Sequence, residues 1–295
     1  MNILFPSLPT RITEVDPGFE AEQQAAIKAG FKTILADTNP FSEKIIVRYS
    51  GDVSEKAETL YRGWIVTPSV YQKLCALIPS MVVDQKAYEF CYYLPNWYKA
   101  LGPQLTPYSI WFPQDEFDMK FVKVTPTIVS SYFKGSALIL KDYIKSAKHN
   151  WYDACFIMSA SNSSEVARVT NNFVDIQGKD LVGGLVYREY IHFKKIGIHP
   201  KSKMPLAHEW RFFVYRGNIF YKAPYWSTGD YGDLPSDDCV KPILDRMVSP
   251  FYSIDMAQKE SGEWFNVEVG DGGSSGIPEG GNVEEFYQAL AKVIK

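Results

Sequence analysis

The chain of 295 residues has only four cysteines and four histidines, so it holds little with which to ligate a soft metal or run base catalysis through imidazole. Cys75, Cys91, Cys155 and Cys239 stand far apart with no CxxC pair. That excludes a clustered zinc site and a disulfide framework, and leaves reduced thiols in a cytosol. His149, His192, His199 and His208 form neither HxH nor HExxH, and no GxSxG elbow occurs. Zinc hydrolase and serine hydrolase chemistry therefore lose their usual carriers. Long apolar runs are missing too: none approaches the roughly 18–20 residues that span a bilayer. The start, MNILFPSLPTR, has no basic leader region and carries Pro6 and Pro9. A cytoplasmic protein with no membrane partner is expected. Nor is there an excess of positive charge, since 31 Lys+Arg stand against 34 Asp+Glu for a net −3. The sequence-independent attraction to phosphate backbones is absent, and no nucleic acid partner is expected.

What is present is a globular composition, with 46% hydrophobic and 22% charged residues. At this length that means one large domain or two ordinary ones. Asn2–Phe5 reads as a strand, Asp16-Pro17 as a cap and first-turn proline for a helix over Phe19–Ala29, and Phe31–Ala36 as a second strand. The first 37 residues thus form a βαβ unit. Thr67-Pro68 and Thr106-Pro107 repeat the cap device before VYQKLCALI and YSIWF, while 94–107 reads as irregular. Beyond about residue 115 the pattern changes. Strands are expected over Ser136–Lys145 and Leu185–Phe193, with helices over Asn150–Met158, Glu165–Ile176, Val240–Met247 and Val283–Ile294. Two hairpins turn at Arg216-Gly217 and at Ser261-Gly262. The fold class is an α/β N-terminal domain, 1–115, followed by an α+β domain, 116–295, built on antiparallel sheets with helices.

A two-residue turn at Ser261-Gly262 sets Asp255 opposite Glu268, with Ser253, Asp255, Asn266 and Glu268 on one face and Ile254, Met256, Phe265, Val267 and Val269 on the other. Opposed carboxylates about 5 Å apart repel unless a cation or proton sits between them, and Mg²⁺ shared with a phosphate meets that need. Two solvated carboxylates on an open sheet face are the other reading. In SALILKDYIK, alternation sends Lys141, Tyr143 and Lys145 to one face, either for successive phosphates of a nucleotide or as a solvated edge. In HEWRFFVYRGNIF, Glu209 and Arg211 share a face, as a phosphate-binding Arg held by a Glu or as a surface pair. LVYREYIHF places Glu189 among apolar neighbours, suited to a purine wall or to plain core. The tail GDGGSSGIPEGG offers backbone N–H groups without the spacing of a known phosphate loop.

The order of these segments, LILKDYIKSAKH, GGLVYREYIHF, HEWRFFVYRGNIF, then FYSIDMAQ and FNVEVGDGGSSGIPE, resembles the ATP-grasp superfamily. Within it, the chain is most similar to the divergent R-two-K clade that includes the eukaryotic assembly factor for translation initiation factor two, and to that clade's bacterial and phage members. VDPGFEAE and LYRGWIVTP near the N-terminus share the likeness. The resemblance implies ATP and Mg²⁺ as cofactors. Lys141 would contact nucleotide phosphates and Lys145 a second phosphate or the acceptor. Glu189, Tyr190 and Ile191 would form the hinge that holds adenine through backbone groups. Arg188 and Arg211 would stabilise the transferring phosphoryl group, with Glu209 orienting Arg211 or touching the ribose, and Asp255 and Glu268 would hold the metal. Ser146-Ala147-Lys148-His149 stands where many relatives place a glycine-rich lid. Gly270 stands where they have Asn, so Asp271 or Asn266 would supply the third oxygen. The implied activity is a carboxylate–amine ligase working through an acyl phosphate on an unknown protein, peptide or amino-acid acceptor. An ATP-binding assembly factor without turnover is the alternative.

Overall fold

A computed structural model of the chain describes residues 1–9, 11–38, 45–49, 54–116, 119–232 and 234–295. The N-terminal region is β1 (Asn2–Leu8), β2 (Arg11–Val15), α1 (Glu20–Lys28), β3 (Lys32–Ala36), β4 (Val47–Tyr49), β5 (Thr59–Tyr61), α2 (Pro68–Leu77), α3 (Gln85–Tyr92) and α4 (Leu94–Leu101). β6 (Ser109–Pro113), α5 (Met119–Phe133), β7 (Leu138–Asp142), β8 (Phe156–Ile157), α6 (Ser163–Gln177) and β9 (Gly184–Glu189) follow. The chain ends with β10 (Lys195–Ile198), β11 (Pro205–Ala207), β12 (Glu209–Tyr215), β13 (Asn218–Pro224), α7 (Lys241–Leu244), β14 (Phe251–Gln258), β15 (Trp264–Asp271) and α8 (Val283–Ile294).

β1 is central in the first sheet, parallel to both β3 and β5, with β2 turning back antiparallel at its end. Ile3, Leu4 and Phe5 are all fully buried, as expected of a parallel strand covered on both faces. The βαβ unit is there, with β2 inserted before the helix. α8 packs against this region through Phe286, Tyr287 and Leu290, so the last helix of the chain closes the first core. Two four-stranded antiparallel sheets make up the rest, in the orders β6-β9-β7-β8 and β13-β12-β14-β15, with the β10-β11 ribbon beside them. β6 pairs along its length with β9, and Leu94, Trp97 and Leu101 of α4 share a core with β12 and β14. The segment just before residue 115 therefore packs with the later sheets.

Several elements differ from expectation, each for a local reason. The β7 strand stops at Asp142 because its Oδ1 accepts the N–H groups of Ile144 (2.7 Å) and Lys145 (2.6 Å), a side-chain turn that breaks the alternation before Lys145. The stretch 94–107 is no irregular loop. It holds α4, with Pro95 in its first turn and Gly102 at φ 70° at its end. Thr106-Pro107 caps no helix, since YSIWF leads into β6, and Thr106 turns its hydroxyl inward to Arg188. The expected helix at Asn150–Met158 is one π turn, Trp151–Cys155, because Phe156 and Ile157 are drawn into pairing with β7. β9 ends at Glu189, short of Phe193, and α7 keeps only four residues of the expected eight. The hairpin at Arg216-Gly217 is as expected, both residues at positive φ (47° and 79°), as a two-residue turn of the primed type requires.

The second hairpin is more instructive. Lys259 and Glu263 close a three-residue loop in which Gly262 sits third, at φ 90°. One extra residue, Val267, then bulges from β15 between the Met256–Asn266 and Asp255–Glu268 pairs. The longer loop and the bulge cancel, so Asp255 does face Glu268. Below the bulge the faces are exchanged relative to expectation: Asn266 is fully buried, and Val267 lines the cleft described next. Asn266 secures the bulge by donating Nδ2 to the carbonyls of Glu268 (2.9 Å) and Asp255 (3.3 Å).

Candidate active site

The two antiparallel sheets and the β10-β11 ribbon enclose a cavity of about 420 Å³. One wall is apolar: Ile139, Trp151, Met204, Leu206 and Ile191 line it beside Tyr190. Trp151 is fixed by stacking on Phe156 at 5.3 Å, and Phe156 meets Tyr190 edge-on at 5.1 Å. Charged residues line the cavity as well, Lys141 and Arg188 from β7 and β9, Glu209 and Arg211 from β12, and Asp255 and Glu268 from β14 and β15.

Each carboxylate of the opposed pair has its own cation. Arg211 grips Asp255 bidentately, Nε–Oδ1 and Nη2–Oδ2 both at 2.7 Å, as the direct Arg211–Asp255 pairing across β12 and β14 allows. Lys141 Nζ lies 2.7 Å from Glu268 Oε2, with Arg188 Nη1 at 3.9 Å from the same oxygen. Arg211 also donates to the Gly276 carbonyl at 3.0 Å and lies over the Tyr225 ring at 4.9 Å. Lys148 Nζ lies 5.6 Å from the centre of that same ring.

These charges are held against desolvation. Burial lowers the Lys141 ammonium from its ordinary range, with Glu268 pulling the other way, and lowers Arg188 in the same manner. Among the described residues, Arg188 Nε has no hydrogen-bond partner. Burial first pushes the Glu209 carboxyl well above the usual carboxylate range; Asp255 and Glu268 add to the rise, while Lys148 and Arg211 oppose it. Tyr225 is the largest influence raising the Lys148 ammonium. Perturbed groups of both signs gathered in one cleft mark it as a candidate functional site.

The cleft gathers ten of the eleven residues expected from sequence: Lys141, Lys145, Arg188, Glu189, Tyr190, Ile191, Glu209, Arg211, Asp255 and Glu268 all line it. Lys145 is there as an exposed side chain at the rim, not as the next rung of β7. At the hinge, the N–H groups of Glu189 and Tyr190 are already donated, to the carbonyls of Tyr108 and Ala137 at 2.8 Å each. The Asp271 side chain is not brought to the pair. It lies one register step out of phase with Glu268, opposite Tyr252, and accepts from the Ser274 N–H at 2.8 Å. Asn266, the other proposed oxygen, is buried in the bulge, and its Oδ1 is unpartnered among the described residues. Among the described residues no group of three His, Cys, Asp or Glu is placed to share a metal ion. Two opposed carboxylates nevertheless suit a hard cation that takes its remaining oxygens from water and a phosphate. Lys148, Tyr225, Met204 and Leu206 were not anticipated. Lys148 was readable only as the next basic residue after Lys145, once the chain is known to turn at Asp142.

The glycine tail is pinned from the N-terminal region. Arg62, 1% exposed, donates to the carbonyls of Gly272 (2.6 Å) and Ser275 (2.7 Å) and pairs with Glu22 at 2.8 Å, which also accepts from Tyr287.

A family model for the ATP-grasp domain, family 3 of the R-two-K clade, matches residues 133–290. No curated protein matches the chain. Among solved structures, the D-cycloserine synthetase DcsG aligns over 100% of both chains at 10% identity and a TM-score of 0.59. The D-alanine-D-alanine ligase from Coxiella burnetii aligns over 100% of this chain and 94% of its own at 9% identity and 0.63. The ATP-grasp ligase PsnB, complexed with precursor peptide PsnA2 and AMPPNP, aligns over 100% and 97% at 11% identity and 0.55. At these identities the likeness is one of fold.

Proposed function

The chain belongs to the ATP-grasp superfamily, in family 3 of its R-two-K clade, and from that premise we propose that it is a carboxylate–amine ligase that uses Mg-ATP to activate a protein or peptide carboxylate. The observation that carries the reading is the convergence of Lys141, Lys148, Arg188 and Arg211 with the opposed Asp255 and Glu268 in one cleft. Such a set binds a triphosphate by charge and fixed hydrogen bonds and needs no histidine base.

In this reading the purine lies against Ile139, Trp151, Met204 and Leu206, with the Glu189 carbonyl and Ile191 N–H addressing its edge. Lys141 and Lys148 take phosphate oxygens. Arg211 and Arg188 exchange their carboxylate partners for the phosphoryl oxygens on which charge grows, so their ion pairs act as placeholders. Asp255 and Glu268, freed of those cations, would hold Mg²⁺, and the ion would supply positive charge to neutralise the phosphates. Glu209, two residues before Arg211 on β12, lies within electrostatic reach of Arg211 and Lys148. A carboxylate oxygen of the substrate attacks the γ-phosphorus and ADP leaves. An amine then attacks the acyl carbon and phosphate leaves, the amine's proton passing to solvent or to a phosphate oxygen. The peptide acceptor follows the precursor complex of PsnB by analogy only. The four free cysteines suit a reducing cytoplasm.

The test is release of ADP and phosphate from Mg-ATP, with the protein incubated with peptide pools supplied with or without a primary amine. Release that requires both acceptors is the expected result. Tight ATP binding with no release under any acceptor would overturn the ligase and leave an ATP-bound assembly factor.

A further inference from the structure

The segments VDPGFEAE (15–22) and LYRGWIVTP (60–68) take no part in the nucleotide cleft. They meet instead at the carboxyl ends of the parallel strands β1, β3 and β5, where a separate crevice of about 360 Å³ opens. Crevices at that edge of a parallel sheet are where α/β folds bind ligands. This one is built rather than incidental. The Trp64 indole rests on Gly18, where any Cβ would come within 2.7 Å of Cζ2, and meets Phe19 edge-on at 4.9 Å. Its Nε1 donates to Asp16 Oδ2 at 3.0 Å, and Asp16 Oδ1 accepts the Gly18 N–H at 2.8 Å.

The lining has a definite chemistry. Trp64 and Ile65, about half exposed, form an apolar lip, and Val66, Val70 and Pro6 continue the wall. Asp16, partly exposed at the mouth, supplies negative charge, and no Lys, Arg or His lies among the described lining residues. Ser7 also lines the crevice, and its Oγ, on a residue 4% exposed, has no hydrogen-bond partner among the described residues. An unpaired buried hydroxyl costs free energy unless a ligand supplies its partner.

We propose that this crevice binds a primary ammonium group carried on an apolar body of amino-acid size, the amine held at Asp16 beside Ser7 and the body against Trp64 and Ile65. The residue before Trp64 ties the crevice to the cleft: the Gly63 N–H donates to the Gly273 carbonyl at 3.0 Å, and the same glycine tail presents Gly276 to Arg211. As a binding site it stands on this geometry. As the seat of the amine acceptor it rests on the ligase reading above.

Leucinamide, an amine on an apolar body without a carboxylate, is the probe, with N-acetyl-leucine as its charge-reversed counterpart. Both are titrated by calorimetry into the full chain and into Asp16→Asn, Trp64→Ala and Ser7→Ala, with circular dichroism confirming each fold. Asp16→Asn keeps the oxygen that caps residues 17–19. The expected result is leucinamide binding weakened about tenfold in Asp16→Asn and Trp64→Ala, as loss of one charged or large apolar contact implies. A smaller loss is expected in Ser7→Ala, no binding of N-acetyl-leucine, and unchanged Mg-ATP affinity throughout. No leucinamide binding to the natural chain, equal binding in all three variants, or equal binding of N-acetyl-leucine overturns the proposal. Leucinamide binding to a chain that fails to bind Mg-ATP overturns the ligase reading and upholds the crevice.

Discussion

Two buried arginines show how differently this molecule treats charge in its scaffold and in its cleft. Arg62 is 1% exposed, and each nitrogen of its guanidinium has a partner: Nε and Nη2 on Glu22, and Nη1 on two carbonyls of the glycine tail. Burial pulls its ionisation down, yet Glu22 and Tyr287 more than compensate, and the net shift is upward. Arg188 is 5% exposed, and among the described residues its Nε is unpartnered and its nearest paired carboxylate lies at 3.9 Å; its net shift is downward. A satisfied buried cation stabilises the fold, whereas an unsatisfied one is tolerated because something else will complete it.

The comparison breaks most sharply by substitution. Arg62→Met strands Glu22 and two carbonyls, and should destabilise the protein by about 3–5 kcal/mol, measured by urea unfolding. Lys141→Met, by contrast, should leave stability within about 1 kcal/mol, because an apolar stem suits that buried position and Glu268 keeps Arg188 nearby. The same substitution should weaken Mg-ATP binding by at least about tenfold. A large stability loss in Lys141→Met would erase the distinction.

A second consequence concerns pH. Burial pushes the Asp271 carboxyl up to about 6 from 3.8, against the lowering hydrogen bonds from Ser274. Between those values the unfolded chain has released its proton while the folded chain retains it, so stability falls as pH rises through the window. The loss is roughly 3 kcal/mol between about pH 4 and about pH 6. Asp271→Asn should flatten that part of the stability curve, whatever its effect on the level. A smaller effect is expected at the bulge: Asn266→Ala removes the two bonds that hold it and should cost about 1–2 kcal/mol, with weaker Mg-ATP binding as the carboxylates lose register. Smallest of all, Lys145→Ala at the exposed rim should change Mg-ATP affinity by no more than about threefold.

The positions of the chemistry are more legible in the sequence than the elements that carry them. Alternation along β12 and β14 puts Arg211 and Asp255 on usable faces because both strands are long and regular. The Asp255–Glu268 pairing is reached through a turn of the wrong length, offset by a bulge that no local propensity announces. Asp271 falls outside the site because strand alternation carries it to the face away from Glu268. Lys148 escapes notice because Asp142 ends β7 by accepting two backbone N–H groups, an event invisible to a period-two pattern. Pro95 and Gly102, which start and stop α4, resemble loop punctuation until their spacing is weighed.

Calorimetric titration of Mg-ATP into the natural chain and into Asp255→Asn and Glu268→Gln tests the central claim most directly. The account predicts a single site in the natural chain and a loss on the order of a hundredfold in each variant, with each variant still folded by circular dichroism at the temperature of the titration. Equal affinity in all three proteins would contradict it.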